Sequence, residues 1–348
     1  MNMNTRLPMA NNTETTDNNS HTSPRPAFLI TVDVEGDNLW SESRTITTRN
    51  ADDLPRFQSL CESHGLKPTY LTSYEMANSS SFREFGGDVL KRGAGEIGMH
   101  LHAWNTPPLQ PLTDDDFRFH PYLTEYNVEL MREKITAMTD GLEDAFGLKM
   151  ISHRAGRWGF NETYARILVE KGYRVDCSVT PHVSWKDDRG DPQRSGGADY
   201  SQFPENAYFI DLHDIGRPGN SPLLEVPMTI VPIRRPAIDW MRPALQGNRF
   251  ARRALNCLFP EVHWLRPNGR NRKVLLEIVE RAIREKKKYV EFMLHSSELM
   301  PGGSPRFPRA SDIEALYADL SALFEAVRER FQGTTLSEYY EQLAGNRQ

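Results

Sequence analysis

Two short apolar runs, far apart in the chain, each end in side chains that can bind a metal ion. One run ends at Asp33 and Glu35, and the other ends at His100 and His102. Successive side chains alternate between the two faces of a β-strand, so the members of each pair share a face. Two carboxylates and two imidazoles at the ends of two strands form a suitable ligand set for a divalent ion. The sequence therefore predicts a metal centre that could activate water near neutral pH.

Candidate strands and helices alternate at short spacing over much of the chain. The pattern predicts strands at residues 27–32, 68–72, 96–101, 149–153, 173–179 and 289–294. It predicts helices at residues 53–64, 82–92, 125–146, 161–171, 273–286 and 311–330. This alternation is typical of α/β folds with parallel strands and crossover helices, and hence of an open doubly wound sheet or a barrel. The polar candidates follow strands, which favours a (β/α) barrel with its site at the carboxyl ends of the strands.

Composition divides the chain into a leader and one domain. Residues 1–24 are rich in Asn, Thr and Ser and lack the apolar core of a signal peptide, so we expect a disordered leader. Residues 25–348 are expected to form a single domain. Within it, the weakly periodic segment 182–272, rich in Arg, Pro and Gly, is expected to be an irregular insertion before the last strand.

Charge and cysteine usage limit the class and location of the protein. The net charge of −5 gives no indication of nucleic-acid binding, and no stretch approaches the ~18 apolar residues of a membrane span. The three cysteines, Cys61, Cys177 and Cys257, are well separated and form no Cys-x-x-Cys pair. This spacing argues against a disulfide framework or a thiolate zinc site and fits a reducing compartment. We therefore expect a soluble cytoplasmic protein.

Further polar residues accompany the other predicted strands. Arg154 could orient a catalytic carboxylate or bind an anionic group through its guanidinium fork. Asp176 lies inside a predicted strand, where a buried acid needs a nearby Arg or His as partner. His295 follows a strongly apolar strand and is a candidate general acid. Trp104, in the loop after His102, could form a wall for a sugar ring.

A basic cluster lies between residues 234 and 273. Only Asp239 and Glu261 oppose its ten basic residues, which gives a local charge of +8. Its members are Arg234, Arg235, Arg242, Arg249, Arg252, Arg253, Arg266, Arg270, Arg272 and Lys273. The cluster could bind a phosphorylated or lipid-linked substrate or hold the protein at the periphery of an anionic membrane, or it could be an ordinary solvated surface.

Two motifs resemble those of the polysaccharide deacetylase superfamily, also called the NodB-homology or carbohydrate esterase family 4 group. Residues 31–35 read Thr-Val-Asp-Val-Glu, which is similar to the branch of the family whose two acids are separated by one residue. Residues 96–100 read Glu-Ile-Gly-Met-His, which is the second motif of the family. Members are distorted (β/α) barrels, usually with seven strands. The resemblance therefore implies that fold, in a divergent form, over residues 26–331.

The resemblance also implies roles for individual residues. By the first motif, Asp33 is the catalytic base and Glu35 a metal ligand. The second motif makes His100 a ligand, but Trp104 stands where the family has its other histidine, and His102 is the substitute. Arg154 is similar to the arginine of the third motif, which holds the catalytic base. His295 loosely matches the late Leu-x-His motif, whose histidine protonates the leaving group.

These assignments imply a metal-dependent deacetylase that removes the N-acetyl group of an amino sugar, in a surface polysaccharide or its precursor. The metal would be a divalent ion, with Zn²⁺ preferred, and the sugar could be carried by a nucleotide or a lipid. Two other functions stay open. One is a non-catalytic carbohydrate-binding protein that kept the barrel. The other is a metal-independent glycosidase, which needs two acids ~5–10 Å apart across its cleft.

Overall fold

The computed structural model describes residue 1 and residues 25–39, 45–188, 196–245 and 249–345. The predicted leader therefore lies almost wholly outside the described residues. The side chains of three members of the basic cluster, Arg249, Arg252 and Arg253, also lie outside them. The division of the chain into leader and domain stays a prediction.

A curled, half-barrel sheet forms the centre of the molecule. Its parallel part contains eight strands among the described residues. The predicted α/β class and distorted (β/α) barrel are confirmed. The strands are β1 (Ala27–Val34), β2 (Pro68–Thr72), β3 (Glu96–Leu101), β4 (Ser152–Ala155), β5 (Val175–Asp176), β6 (Tyr208–Asp211), β7 (Asp214–Pro218), β8 (Leu224–Glu225), β9 (Ile230–Pro232), β10 (Val262–Trp264), β11 (Tyr289–His295) and β12 (Gln332–Thr334). Seven of the parallel strands lie side by side in the order β11-β1-β2-β3-β4-β5-β8, and β12 pairs in parallel with β1.

Helices cover the outer face of the sheet. The longest two, α5 (Val128–Phe146) and α10 (Ala310–Arg328), have 19 residues each. Local sequence sets the ends of α5, since the Asn127 side chain accepts a hydrogen bond from the Leu130 amide at its start and Gly147 ends it with a φ of 67°. The helices are α1 (Leu54–Ser63), α2 (Tyr74–Ala77), α3 (Ser80–Lys91), α4 (Asp116–Phe119), α5 (Val128–Phe146), α6 (Glu162–Lys171), α7 (Pro236–Asp239), α8 (Arg249–Leu258), α9 (Arg272–Arg284), α10 (Ala310–Arg328) and α11 (Leu336–Ala344).

The segment expected to be an irregular insertion carries short strands of its own. Strand β8 pairs in parallel with β5 and so extends the central sheet, and β6 pairs antiparallel with β8 and β7. Strands β9 and β10 form a separate antiparallel pair. This segment therefore supplies one of the parallel strands.

Apolar packing fixes the two strands that carry the site. Every residue of β1 is buried, as are the first six of β11. Between these strands and the outer helices, Phe28 and Phe292 pack against Phe324 at ring separations of 6.2 and 5.9 Å. Burial of each such ring contributes about 2–3 kcal/mol, so the register between β1 and β11 is strongly determined. Among the described residues, no helix is both long and apolar enough to cross a lipid bilayer.

Candidate metal centre and active site

Strand register brings the predicted site residues to one edge of the sheet. Asp33 lies opposite His295 in the β1–β11 pair. His100 lies opposite Arg154 in the β3–β4 pair. Both pairs stand at the carboxyl ends of their strands. Residues separated by more than 250 positions in the chain therefore become neighbours.

Three of these residues form a cluster that could hold a metal ion. Ligand atoms of Glu35, His100 and His102 all lie within 4.8 Å of one another. Glu35 Oε2 is 3.0 Å from His102 Nε2 and 3.6 Å from His100 Nε2. All three residues are buried. One carboxylate and two imidazoles are ligands that zinc and related ions prefer, so the donor set fits such an ion.

The surroundings of His100 also fit those of a metal ligand, and those of His102 differ. His100 Nδ1 is 3.1 Å from the Arg154 carbonyl oxygen. An N–H at Nδ1 would donate to this carbonyl and leave Nε2 free to bind a metal. Among the described residues, His102 Nδ1 has no hydrogen-bond partner. Gly156 makes room for this ring, because a Cβ at that position would lie only 2.7 Å from His102 Nδ1.

A buried arginine holds Asp33. Arg154 donates to Asp33 Oδ1 at 2.6 Å, to Thr31 Oγ1 at 2.9 Å and to Glu291 Oε1. Its Nε donates to the Cys177 carbonyl oxygen at 3.1 Å. The guanidinium is fully buried, so it is a fixed positive charge between the carboxyl groups of Asp33 and Glu291. Arg154 thus orients one oxygen of Asp33.

Positive charges and imidazoles set the pKa values of the two acids. Burial by itself raises the pKa of Asp33, but Arg154 and the nearby imidazoles of His100 and His295 outweigh it, so this pKa lies below its ordinary value. Burial likewise acts against ionisation of Glu35, yet His295 and the two clustered histidines bring its pKa well below the usual range. Both side chains are therefore carboxylates at neutral pH, ready to accept a proton or bind a cation.

His295 lies at the same cavity. Its Nε2 is 3.5 Å from Glu35 Oε1 and 3.8 Å from Asp33 Oδ2. On the other side of the ring, Nδ1 is 2.7 Å from an Arg266 guanidinium nitrogen and 3.6 Å from Glu298 Oε2. Arg266 also donates to Glu298 at 2.9 Å. Contacts at Nδ1 thus fix the imidazole ring of His295, and its Nε2 faces the two acids.

These residues open into a cavity of about 420 Å³ with an aromatic wall. Trp104 is part of this wall, as predicted, and it meets Phe117 edge to face at 4.8 Å. The other aromatic members are Tyr122, Trp158 and Trp185. Aromatic faces beside a polar centre suit the apolar face of a sugar ring.

Three participants were not found by sequence reasoning. Glu291 lies in the middle of the apolar strand β11, where a carboxylate is itself a signal that a buried partner exists. Arg266 lies in the weakly periodic insertion, where the sequence does not distinguish it from the other nine basic residues of the cluster. The role of Gly156 is visible only in the folded structure, where this residue lies against His102. The predicted pairing of Asp176 is confirmed, since His153 Nδ1 lies 2.6 Å from it.

The basic cluster is largely paired with acids where its side chains are described. Arg242 contacts Asp239 and Glu261, at 3.3 and 2.7 Å. Arg272 contacts Asp319 at 2.7 Å. Of the described members, Arg266 is the one that lines the cavity. The cluster therefore does not form a single unpaired patch.

The structure is a half-barrel of parallel strands with a polar cluster that could hold a metal ion at the carboxyl ends of the strands. This fold is shared with solved structures described as polysaccharide deacetylases, the fold that the sequence motifs implied. No family model matches the sequence, and no curated protein matches it.

Several solved structures have a fold similar to that of this chain. A candidate polysaccharide deacetylase from Mycobacterium smegmatis is similar with a TM-score of 0.51 and 14% identity, over 94% of this chain and 93% of that one. A candidate glycoside hydrolase/deacetylase from Parabacteroides distasonis gives 0.60 and 12%, over 92% and 72%. A GH57 branching enzyme from Thermococcus kodakaraensis gives 0.52 and 11%, over 91% and 71%. At these identities the likeness concerns the fold alone.

Proposed function

We propose that the protein is a metal-dependent deacetylase that hydrolyses the N-acetyl group of an amino sugar, in a surface polysaccharide or its precursor. The observation that carries this proposal is the convergence of Glu35, His100 and His102 within 4.8 Å. Beside this cluster lie an oriented carboxylate, Asp33, and an imidazole, His295, whose Nε2 is 3.8 Å from Asp33 Oδ2. A cluster that could hold a metal ion, a proton acceptor and a proton donor are together suited to amide hydrolysis.

In this proposal, Glu35, His100 and His102 hold a divalent ion, for which Zn²⁺ is our choice, and such an ion supplies Lewis acidity and activates water. Asp33 accepts the proton of the attacking water through Oδ2, because Oδ1 is occupied by Arg154. His295 donates a proton from Nε2 to the departing amine. The C–N bond breaks, and acetate and a free amino sugar leave.

The aromatic wall of the cavity supports a sugar as substrate, and attachment of that sugar to a nucleotide or lipid carrier is a further part of the proposal. Arg266 is the described member of the basic cluster that lines the cavity, where it also contacts Glu298. A cytoplasmic location and attachment to the membrane periphery remain predictions.

The first experiment is the metal content of the purified protein. Wild type is compared with His100→Ala and His102→Ala, and with His213→Ala, an exposed histidine outside the cavity, as control. We expect about one zinc-like ion per chain in wild type and control and a loss in both cluster variants. Wild type that binds no ion even after loading would overturn the proposal and favour the non-catalytic carbohydrate-binding alternative.

A second experiment separates the base from the ligands. Asp33→Asn is expected to retain the ion and to lose release of acetate from N-acetylated oligosaccharides, because the carboxylate that accepts the proton is gone. Cleavage of glycosidic bonds that persists in a chelator would instead favour the metal-independent glycosidase.

A further inference from the structure

The cavity beside Glu35, His100 and His102 borders a second cavity. The second space has a volume of about 580 Å³, and it shares Trp104, Phe117 and Arg157 with the first. The loop after β3 and helix α4 line most of its remaining wall. A ligand that spans both cavities must pass the side chain of Arg157, which stands at their junction.

The backbone at this junction is strained. Arg157 and Trp158 both have positive φ, at 52° and 59°, although neither is glycine. Left-handed conformations cost free energy for residues with a Cβ and occur where the surrounding structure enforces them. Here the hydroxyl of Tyr200 donates to the Trp158 carbonyl oxygen at 2.5 Å, and the Trp158 ring lies 5.0 Å from the Arg154 guanidinium. The fold therefore maintains an unfavourable turn that presents Arg157 to the cleft.

Arg157 differs from the other arginines of the cleft. Arg154 and Arg266 are each bound to carboxylates. In the described part of the chain, no carboxylate lies within ion-pair distance of Arg157, whose guanidinium is 5.5 Å from the Phe117 ring centroid. The side chain is exposed. A charged fork held over an aromatic ring, with its hydrogen-bond donors available, is suited to a carboxylate or a phosphate.

Two acids near the junction make contacts with other groups. Asp116, in the second cavity, accepts hydrogen bonds from two backbone amides and from the Tyr126 hydroxyl. Asp115 caps the start of helix α4. Asp188, on the rim of the first cavity, forms no ion pair with Arg157 in the described structure. The charge of Arg157 is therefore available to a ligand.

We propose that Arg157 binds an anionic group attached to the sugar that undergoes deacetylation, either on the neighbouring sugar unit or on a phosphate carrier. The substrate class is then an acidic N-acylated glycan, in which a carboxylate or a phosphate accompanies the acetamido sugar. The assignment of the reacting unit rests on the proposed deacetylase function. The anion site itself rests on the junction geometry and can be tested by binding alone.

The test measures ligand affinity by calorimetry in the Asp33→Asn background, so that turnover plays no part. Three probes are used: a neutral tetramer of N-acetylglucosamine, a tetrasaccharide that alternates N-acetylglucosamine with glucuronic acid, and UDP-N-acetylglucosamine. Arg157→Gln removes the charge, and Arg217→Gln removes an exposed charge elsewhere as a matched control. The uronic acid and the diphosphate distinguish the two sources of anionic oxygen.

We expect Arg157→Gln to weaken binding of one of the two acidic probes about tenfold or more, since hydrogen bonds to charged groups are of that strength. Binding of the neutral tetramer should change less than twofold. Arg157→Gly relieves the strained turn, so this variant should fold with an equal or higher Tm. It should nevertheless lose the preference for the acidic probe over the neutral tetramer. Equal loss on all three probes, no change on any, or no acidic preference in the parent protein would overturn the anion site.

Failure of the two proposals can be told apart. An anion preference without acetate release from any substrate contradicts the deacetylase and leaves the anion site standing. Acetate release from neutral and acidic glycans at the same kcat/KM, unaffected by Arg157→Gln, contradicts the anion site and leaves the deacetylase standing.

Discussion

Replacement of the buried Glu291 by glutamine should change how the stability of the protein depends on pH. Glu291 is fully buried and shares the Arg154 guanidinium with Asp33. Burial raises the pKa of Glu291 and the charge of Asp33 raises it further, while Arg154 and Thr31 lower it, and the outcome is about 7 instead of the ordinary 4.5. Glutamine has nearly the same shape but no proton to lose in this range.

The magnitude follows from proton linkage. An acid with a higher pKa in the folded than in the unfolded state binds more protons when folded between those two values. Its contribution to stability is therefore complete below about pH 4.5 and is lost as the pH rises to about 7. One pH unit corresponds to about 1.4 kcal/mol. Glu291 alone should thus lower the free energy of unfolding of the wild type by about 3 kcal/mol across this window.

Urea unfolding at pH 4.5, 5.5, 6.5 and 7.5 tests the argument. The difference in unfolding free energy between Glu291→Gln and wild type should shift by about 3 kcal/mol in favour of the variant as the pH rises. Glu314→Gln removes an exposed acid that contacts Arg56 and should give a curve nearly parallel to that of the wild type. Parallel curves for Glu291→Gln and wild type would refute the idea that burial keeps this carboxyl protonated.

Three other substitutions have definite expected outcomes. Gly156→Ala should weaken zinc affinity at least tenfold, because its Cβ would meet both the Leu101 carbonyl oxygen and the His102 ring. The control Gly87→Ala has open space around its Cβ, so it should leave zinc affinity unchanged and raise stability by about 0.5–1 kcal/mol. Lys134→Met should cost about 2 kcal/mol or more in urea unfolding, because Lys134 Nζ donates to two backbone carbonyls of the loop after β3. Arg154→Met should cost about 3–5 kcal/mol, since it leaves buried carboxylates without their cation, and acetate release should fall at least a hundredfold in the fraction that folds.

The sequence was sufficient for the parts of the site that depend on local periodicity. The i, i+2 spacing predicted that His100 and His102 would share a face, and both imidazoles do reach Glu35. The apolar runs before Asp33 and His295 predicted buried strands, and both strands are buried. These inferences succeeded because the alternation of side chains along a strand is fixed by backbone geometry.

Partnerships between distant strands could not be derived in this way. Arg154 and Glu291 are 137 positions apart, and which strands pair, and in what register, depends on packing across the whole sheet. The acid inside the apolar run 289–294 was the available signal. It required a buried partner, but nothing local identified Arg154 as that partner.

Element boundaries were less predictable than element types. The strand predicted at 149–153 is observed as Ser152–Ala155, and the one predicted at 173–179 shortens to Val175–Asp176. Helix α11 was not predicted, although Thr335 and Glu338 form the capping box that begins it. Short parallel strands depend on their neighbours for hydrogen bonds, so their ends are set by tertiary structure.

The fold is shared with structures described as deacetylases and as glycoside hydrolases, so the distinction between these chemistries must come from the acids. A glycosidase needs one carboxyl group that keeps its proton at the working pH, and such a group has a raised pKa. In this cavity the pKa values of Asp33 and Glu35 are both lowered, because Arg154 and three imidazoles surround them. Two ionised acids beside clustered histidines suit cation binding and proton acceptance, and for that reason we favour the metal-dependent hydrolase.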